Sequence, residues 1–498
     1  MAFSKTPDTS TYRTQQIAFS GDPSLRSGDM STAKDLQIIN FYYEFTGKDN
    51  RNSESALKKR PGLANTSYTL SKPGANDVIR GSFYFPDINA FFWVVDTGVY
   101  RLKPDTSATP VNIQTLTTSS GQVGFCSYIK SDNTRYVVFT DGTKMYAHNV
   151  TGATSAEIVD ADLPTPHVPC PVYLDGYIFI AKASTGDIYN SNVDDLTAWT
   201  PGDFMSVEMA PDHIQKLIRT RNYIVALGKE SIEFFYDAGV ATGSPLQRND
   251  APYKTLGFVT GLCSIGDTTF FVGQEPGQGL RVYAMNGFTI KAVSNEYVER
   301  SLQVTSSTEN TKGSVYLDRD GYSLTVDGHN FYALVTTQTT WVFDYEHNKW
   351  YEWKNTAGTA LGIEAVWNEY NSGCYVAIAG KTDISVLSPK VYQDYSSNFT
   401  ATYITERIDF ETWNRKFMSR LMLYTDRPVA SGTSNIAVSY SDDDYLSYST
   451  ARNINVFAER PCLYRLGKFI NRSFKFAYAD NYPLRLRGIE VELNIGRN

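Results

Sequence analysis

One hydrophobic pattern keeps returning along the middle of the chain. A short apolar run without alternation meets a turn rich in Gly, Asp, Thr or Asn. A second run follows, carrying an aromatic or β-branched pair. The copies are AFFWVV-DTG-VYRL (90–102), RYVVF-TDGTK-MYAH (135–148), GYIFIAK-ASTGD-IYNS (176–191) and NYIVALG-KES-IEFFYD (222–237). They continue with TTFFVG, a Gly-rich turn and LRVYAMNG (268–287), then NFYALVTTQTTWVFD (330–344), and more weakly CYVAIAGKTDISVLS (374–388). The second-run anchors Tyr100, Tyr146, Tyr189, Phe234, Tyr283, Phe343 and Val386 are spaced by 46, 43, 45, 49, 60 and 43 residues. That spacing is close to the roughly 40–50 residues of one four-stranded propeller blade. An unalternated apolar run is expected of a strand buried on both faces, and the next strand, which alternates more, lies farther out. One such sheet cannot bury both faces alone, so successive sheets must stack around an axis.

The predicted fold is therefore all-β: a β-propeller of about seven blades, six being possible, with an attached C-terminal β-sandwich. A solenoid of parallel strands is the rival, but its repeats are usually shorter and more uniform. Three regions follow. Residues 1–75 are polar and irregular, except for LQIINFYYEF (36–45), and SGDMSTAKDL (27–36) reads as the start of a short helix. This segment is expected to pack on the C-terminal unit and on neighbouring subunits. Residues 76–395 carry the repeat. From 396 to 498 a separate β unit is expected, with strands in TATYITERIDF, RLMLYT, NIAVSYS, RSFKFAYA and GIEVELNI. In the last of these, Ile489, Val491 and Leu493 point one way, as in a sheet with one solvated face.

Composition narrows the function. The 498 residues include 34 Tyr, 27 Phe and 7 Trp, a bias towards strand formers. The 46 basic and 53 acidic residues leave a net charge of −7, a poor footprint for gripping nucleic acid. Cys126, Cys170, Cys263, Cys374 and Cys462 are odd in number and widely spaced, which suggests free thiols and neither a zinc site nor a disulfide framework. The first twenty residues lack an apolar signal core, and no run of 18 apolar residues occurs, so neither export by the common route nor a membrane helix is expected.

Candidate chemistry is sparse. His148, His167, His213, His329 and His347 form no H-x-H or H-E-x-x-H pair. There is no P-loop, no G-x-G-x-x-G and no G-x-S-x-G; GQEPGQG (273–279) reads as a loop inside a hairpin. Asp442, Asp443 and Asp444 in SDDDY read as a solvated hairpin turn, with cation binding as the minority reading. ALKKRPG (56–62) reads as a solvated basic turn, with contact to an acidic partner as its alternative. NKWYEW (348–353) reads as packing of an outer strand, with stacking of bases or sugars as the alternative. Asp96, Asp141, Asp187 and Asp267 sit in turn positions, and nothing singles out a carboxylate pair for glycoside chemistry. No catalytic, cofactor-binding or metal-binding residue is predicted, and interface and channel residues stay unassigned.

The segment RTRNYIVALGKESIEFFYDAGVATGSP (219–245) resembles a block of the tail hub, or nozzle, proteins of short-tailed bacteriophages, also called packaged-DNA stabilisation proteins. The pattern is an apolar strand (Tyr223 to Leu227), then Gly228, then Ser231-Ile232-Glu233-Phe234-Phe235 and a small-residue loop. TGLCSIGDTTFFVGQEPGQGLRVYAMNG (260–287) is similar to the family's next blade, and NFYYEF…ALKKRPGLA resembles its entry. IAVSYSDDDYLSYS and CLYRLGKFINRSFKFAYADNYPLRLRGIEVEL resemble its ending. The resemblance implies a structural virion protein, not an enzyme. It would form a homohexameric ring below the portal and adaptor, continue the DNA channel, retain packaged DNA and anchor fibres, a tailspike or a needle. Its partners would be itself, the portal-side adaptor, those tip and fibre proteins and, transiently, phage DNA, with no membrane segment. It would be made in the host cytoplasm and reside in the tail. The alternatives are a propeller enzyme or lectin acting on polysaccharide, and an intracellular scaffold propeller.

Overall fold

The computed structural model describes residues 13–19, 36–46, 54–74, 77–152, 155–207, 209–210, 212–240, 242–302, 316, 319–369, 373–426 and 432–496. The helix expected over 27–36 falls, but for Leu36, outside the described residues. Among the described residues there is one α-helix, Glu296–Leu302, and one 3-10 turn, Pro86–Ile88; every other regular element is a strand.

The fold is an all-β, propeller-like array. Strands Ile79–Phe85, Ala90–Val95, Gly98–Leu102 and Val111–Thr115 form one antiparallel four-stranded meander. The same meander recurs over 124–157, 172–206, 214–254 and 257–292. A sixth copy over 322–353 makes up the first four strands of a nine-stranded sheet. The last copy has three strands between 363 and 388, and its fourth is Gly62–Thr69, with Leu63 opposite Leu387. That strand lies before the expected boundary at 75 yet completes the last sheet. The first strands touch in order, and Ile363–Glu369 contacts both Tyr322–Val326 and Ile79–Phe85, so the circuit closes.

The repeat anchors fall where the pattern puts them. The unalternated runs are the second strands and the anchors lie in the third. Ala90–Val95 is buried at every position because each of its faces meets another sheet. On one face Phe92 and Val94 share a core with Val137, Phe139 and Tyr146 of the next copy. On the other, Phe91 and Trp93 share one with Trp367, Ala377 and Ile384 of the last copy. The seam between the fifth and sixth copies is built alike, from Phe270, Val272, Tyr332 and Leu334. Each fully buried side chain of this size stabilises the fold by about 1.5–3 kcal/mol. Near the axis the sheets converge until only glycine fits. A Cβ on Gly81 would lie 2.0 Å from the carbonyl oxygen of Val123, and one on Gly124 2.1 Å from that of Pro169.

The two chain ends are built into one further unit. A six-stranded sheet contains Phe41–Thr46, Glu54–Lys59, Arg485–Ile495, Lys416–Thr425 and Cys462–Phe469, with Arg13–Ala18 also pairing Arg485–Ile495. The nine-stranded sheet continues from Lys349–Trp353 through Gln37–Ile39 to Ala401–Ile404, Ser473–Tyr478, Asn435–Ser441 and Arg452–Asn455. The C-terminal region read as separate thus shares a sheet with the sixth copy, through three residues of the N-terminal segment. One core joins Ile38, Leu57, Trp353, Leu421, Phe476 and Val491. Ile489, Val491 and Leu493 all point into it, while Glu490 on the other face meets Arg420 at 2.8 Å.

Candidate functional site

The closed circuit of first strands surrounds a cavity of about 340 Å³. A volume of that size is on the scale of a small-molecule site, and side chains from separate segments of the chain meet across it. Its charged lining is mixed. Lys216 reaches inward from Ile214–Thr220 and donates to Gln122 Oε1 at 2.9 Å and to Asp320 Oδ2 at 3.3 Å. Burial works against its ammonium, but the attraction of Asp320 outweighs this and its pKa lies above the ordinary lysine value. Glu364 is held by Lys72 at 2.6 Å, both side chains being buried. Arg80 spends all its guanidinium nitrogens on the carbonyls of Asp96, Thr118, Ser120 and Gly121 and on the Thr118 hydroxyl. The two cavity carboxylates, Asp320 and Glu364, are therefore each tied to a lysine. A glycosidase needs one carboxyl kept protonated as general acid beside a second, ionised one.

The turn carboxylates do not gather either. Asp141 caps its own turn, accepting from Thr118, Thr143 and Lys144. Asp187 accepts from the Ser206 hydroxyl, and exposed Asp267 lies 4.0 Å from Arg221. Asp96 has φ +50 in the turn between two strands. In SDDDY the three carboxylates diverge. Asp442 takes a two-pronged contact from Arg472 at 2.7 Å, Asp443 accepts from Ser441 and Ser447, and Asp444 lies 3.8 Å from Arg407. The Ser447 hydrogen bonds hold Asp443 down at about 2.

The basic run ALKKRPG is a correction. It is not a solvated turn: Lys59 and Arg60 are fully buried. Arg60 Nη2 and Nη1 grip Asp394 Oδ2 and Oδ1 at 2.7 and 3.1 Å. Its Nε donates to Asn40 Oδ1 at 2.9 Å, its Nη2 to the Lys354 carbonyl at 2.9 Å, and its guanidinium lies 3.6 Å from the Phe399 ring centre. Asp394 also accepts the N–H of Leu63, the start of the closing strand. Lys58 pairs with Asp327. Lys59 Nζ donates to the Asp480 carbonyl at 2.8 Å over the Phe399 ring, and burial lowers its pKa to about 7. The run is a knot where the N-terminal segment, the sixth copy, the closing strand and the C-terminal unit meet. Composition could not reveal it, because the carboxylate that Arg60 needs lies 334 residues away. The NKWYEW run is the fourth strand of the sixth copy, with Trp350, Tyr351 and Trp353 buried.

Glu233, the acidic residue of the block resembling tail hubs, is buried in Ile232–Asp237. It accepts the N–H of Met209 at 3.0 Å and lies 3.8 Å from Arg248, and burial raises its pKa. It ties the third strand of the fourth copy to the loop entering that copy. The fold also joins two histidines that no spacing rule connects: His329 and His347 both meet Asp344, at 2.9 and 3.0 Å. Burial would raise the Asp344 pKa, but these hydrogen bonds outweigh it and hold it below the carboxylate range. All five cysteines are free.

Among the described residues no helix is long and apolar enough to cross a membrane. No curated protein matches the chain. Solved structures similar to it include the extracellular domain of a hybrid two-component system protein from B. thetaiotaomicron, at 10% identity and TM-score 0.42 over 81% of this chain and 47% of that one. The N-terminal domain of Nup159 aligns at 10% identity and TM-score 0.38, covering 71% of this chain and 99% of that domain. The family profile described as "Bacteriophage P22 Gp10, beta-propeller" matches residues 36–375, well over half of the sequence. That span holds the buried knot at Arg60, the Glu233 block and the repeat array into its last sheet. The chain belongs to this phage-stabilisation family, structural and non-catalytic tail-hub proteins that stabilise packaged DNA, made in the host cytoplasm and built into the virion tail.

Proposed function

We propose that copies of this chain stand side by side as a homohexameric ring below the portal and adaptor, with the DNA conduit running between copies and not through any one of them. Each copy contributes a seven-bladed propeller, residues 76–395 closed by Gly62–Thr69, and a β-sandwich formed by 396–498 with strands of the N-terminal segment. The carrying observation is the axial cavity: about 340 Å³, crossed by Lys216–Asp320 and bordered by Lys72–Glu364. A wall whose own axis is blocked conducts only as part of a larger ring. A closed set of meanders sharing buried seams is stiff, as a pressure-bearing connector requires. The adaptor, fibre or tailspike, and needle are the protein partners of that ring, and DNA touches it in passing. The net charge of −7 suits release, because a wall rich in Lys and Arg would gain phosphate contacts and slow the exit.

The test is native mass measurement of the chain mixed with its adaptor, together with images of purified tails. A closed ring docked on the adaptor is the expected result. Monomers bound to neither adaptor nor tail would overturn the reading. Once the ring's lumen is imaged, reversing its carboxylates to lysine should slow DNA release, and unchanged release kinetics would remove the charge argument.

A further inference from the structure

Three side chains outside the tail-hub argument converge at one end of the sixth copy. His329 opens the strand His329–Val335, Asp344 ends Thr340–Asp344, and His347 lies in the turn leading to Lys349–Trp353. The register Phe331↔Asp344 sets the two strand ends side by side. Both imidazoles aim Nδ1 at the same atom, Asp344 Oδ2, at 2.9 Å from His329 and 3.0 Å from His347. The other carboxylate oxygen, Oδ1, accepts the backbone N–H groups of Glu346 and His347 at 3.1 and 3.2 Å, so the carboxylate is already oriented. Donor atoms of all three residues lie within 4.8 Å of one another. The rings are braced by the N-terminal strand: Tyr42 meets His329 edge-on at 5.1 Å, and Phe45 stacks on His347 at 4.4 Å. Asp344 is fully buried, whereas the His347 side chain is 26% exposed, which leaves one side open to solvent.

We infer that His329, Asp344 and His347 bind one divalent transition ion of the zinc class, with water completing the shell on the His347 side. Two imidazole nitrogens and one carboxylate oxygen are a donor set of zinc sites that keep an open position. Imidazole donors also discriminate against magnesium and calcium, which prefer oxygen. Tetrahedral bonds of about 2.0–2.2 Å place donor atoms roughly 3.3–3.5 Å apart. The observed 2.9 and 3.0 Å separations need to open by a few tenths of an ångström, and the two imidazole donors, within 4.8 Å of each other, to close by about 1.5 Å at most, a movement open to a turn residue such as His347. Each ring would bind through Nδ1 and carry its proton on Nε2, so two N–H···O hydrogen bonds are exchanged for coordination. Packing against Tyr42 and Phe45 limits how far the two imidazole rings can turn. The bound ion would lock the end of the sixth copy beneath the strand Phe41–Thr46 and so stiffen the join between repeat array and terminal unit.

The untagged full chain, stripped with chelator, is titrated with Zn²⁺ by calorimetry and with Co²⁺ by visible absorption. One equivalent bound, a Co²⁺ spectrum of the four-coordinate type, and a loss of affinity of about tenfold or more in both His329→Gln and His347→Gln are expected. His347→Gln changes a partly exposed turn residue, so it keeps the test valid if His329→Gln fails to fold, and circular dichroism checks both. Absence of stoichiometric binding, equal binding by wild type and a folded variant, or Mg²⁺ binding as tight as Zn²⁺ would each overturn the inference.

Discussion

The repeat array and the unit made from the two chain ends are both hydrophobic cores between sheets, yet they are assembled in opposite ways. In the array each seam joins one meander to the next along the chain, as Phe92 and Val94 meet Val137 and Phe139. Its contacts are nearest-neighbour and its stability is spread over separate clusters. In the terminal unit Phe19, Ile38 and Leu57 meet Leu421, Phe476 and Val491, so one core depends on pairings hundreds of residues apart. Closing such long loops is entropically costly, and single buried ties matter more there. The difference teaches that local repetition supplies stiffness, while a few distant polar contacts decide whether the circuit closes.

That contrast can be broken most directly at Arg60. Arg60→Leu strands the buried carboxylate of Asp394 and should cost about 3–5 kcal/mol in denaturant unfolding. Arg60→Leu with Asp394→Leu should recover much of that loss, and a single variant as stable as wild type would show that the knot does not hold the closure. A smaller and more local effect is expected in the array. Gly81→Ala drives a Cβ into the Val123 carbonyl and should cost about 1–3 kcal/mol. Hydrogen exchange should then rise around 79–95 and 123–139 and stay unchanged in 401–495; a uniform rise would mean that the two regions are not energetically separable.

Lys59 sharpens the comparison through pH. Its folded pKa of about 7 lies below its ordinary 10.5, so between those values the unfolded chain holds a proton that the folded chain lacks. By linkage, this group makes stability rise with pH from about 7 to 10.5 and adds a constant penalty below about 7. Lys59→Met should flatten that rise relative to wild type, and parallel stability–pH curves would refute it. The smallest effect is expected on the outer face of the six-stranded sheet. Arg420 pairs there with Glu490 and Glu492 at 2.8 and 3.5 Å while partly solvated, and Arg420→Ala should change stability by no more than about 1 kcal/mol.

Much of the array was legible residue by residue. Second strands such as Ala90–Val95 announce themselves because burial on both faces removes alternation, and the third-strand anchors follow one turn later. First and fourth strands were harder to see. Val111–Thr115 and Thr289–Ala292 are largely exposed, and the first strands line a polar cavity, so neither carries a plain apolar signature. In the terminal unit the partly exposed strands Arg452–Asn455 and Cys462–Phe469 lack that signature too, whereas the Ile489, Val491 and Leu493 alternation is plain in the sequence.

By itself the sequence determined that this protein is an all-β stack of repeated hairpins, because strand burial writes its period into residues that are neighbours in the chain. Only the tertiary structure decided which strand closes the circuit, that ALKKRPG is buried, and that His329 and His347 share one carboxylate. A lysine, an arginine or a histidine looks the same in sequence whether solvated or buried. Its state is set by a partner such as Asp394 or Asp344, which folding alone brings within reach.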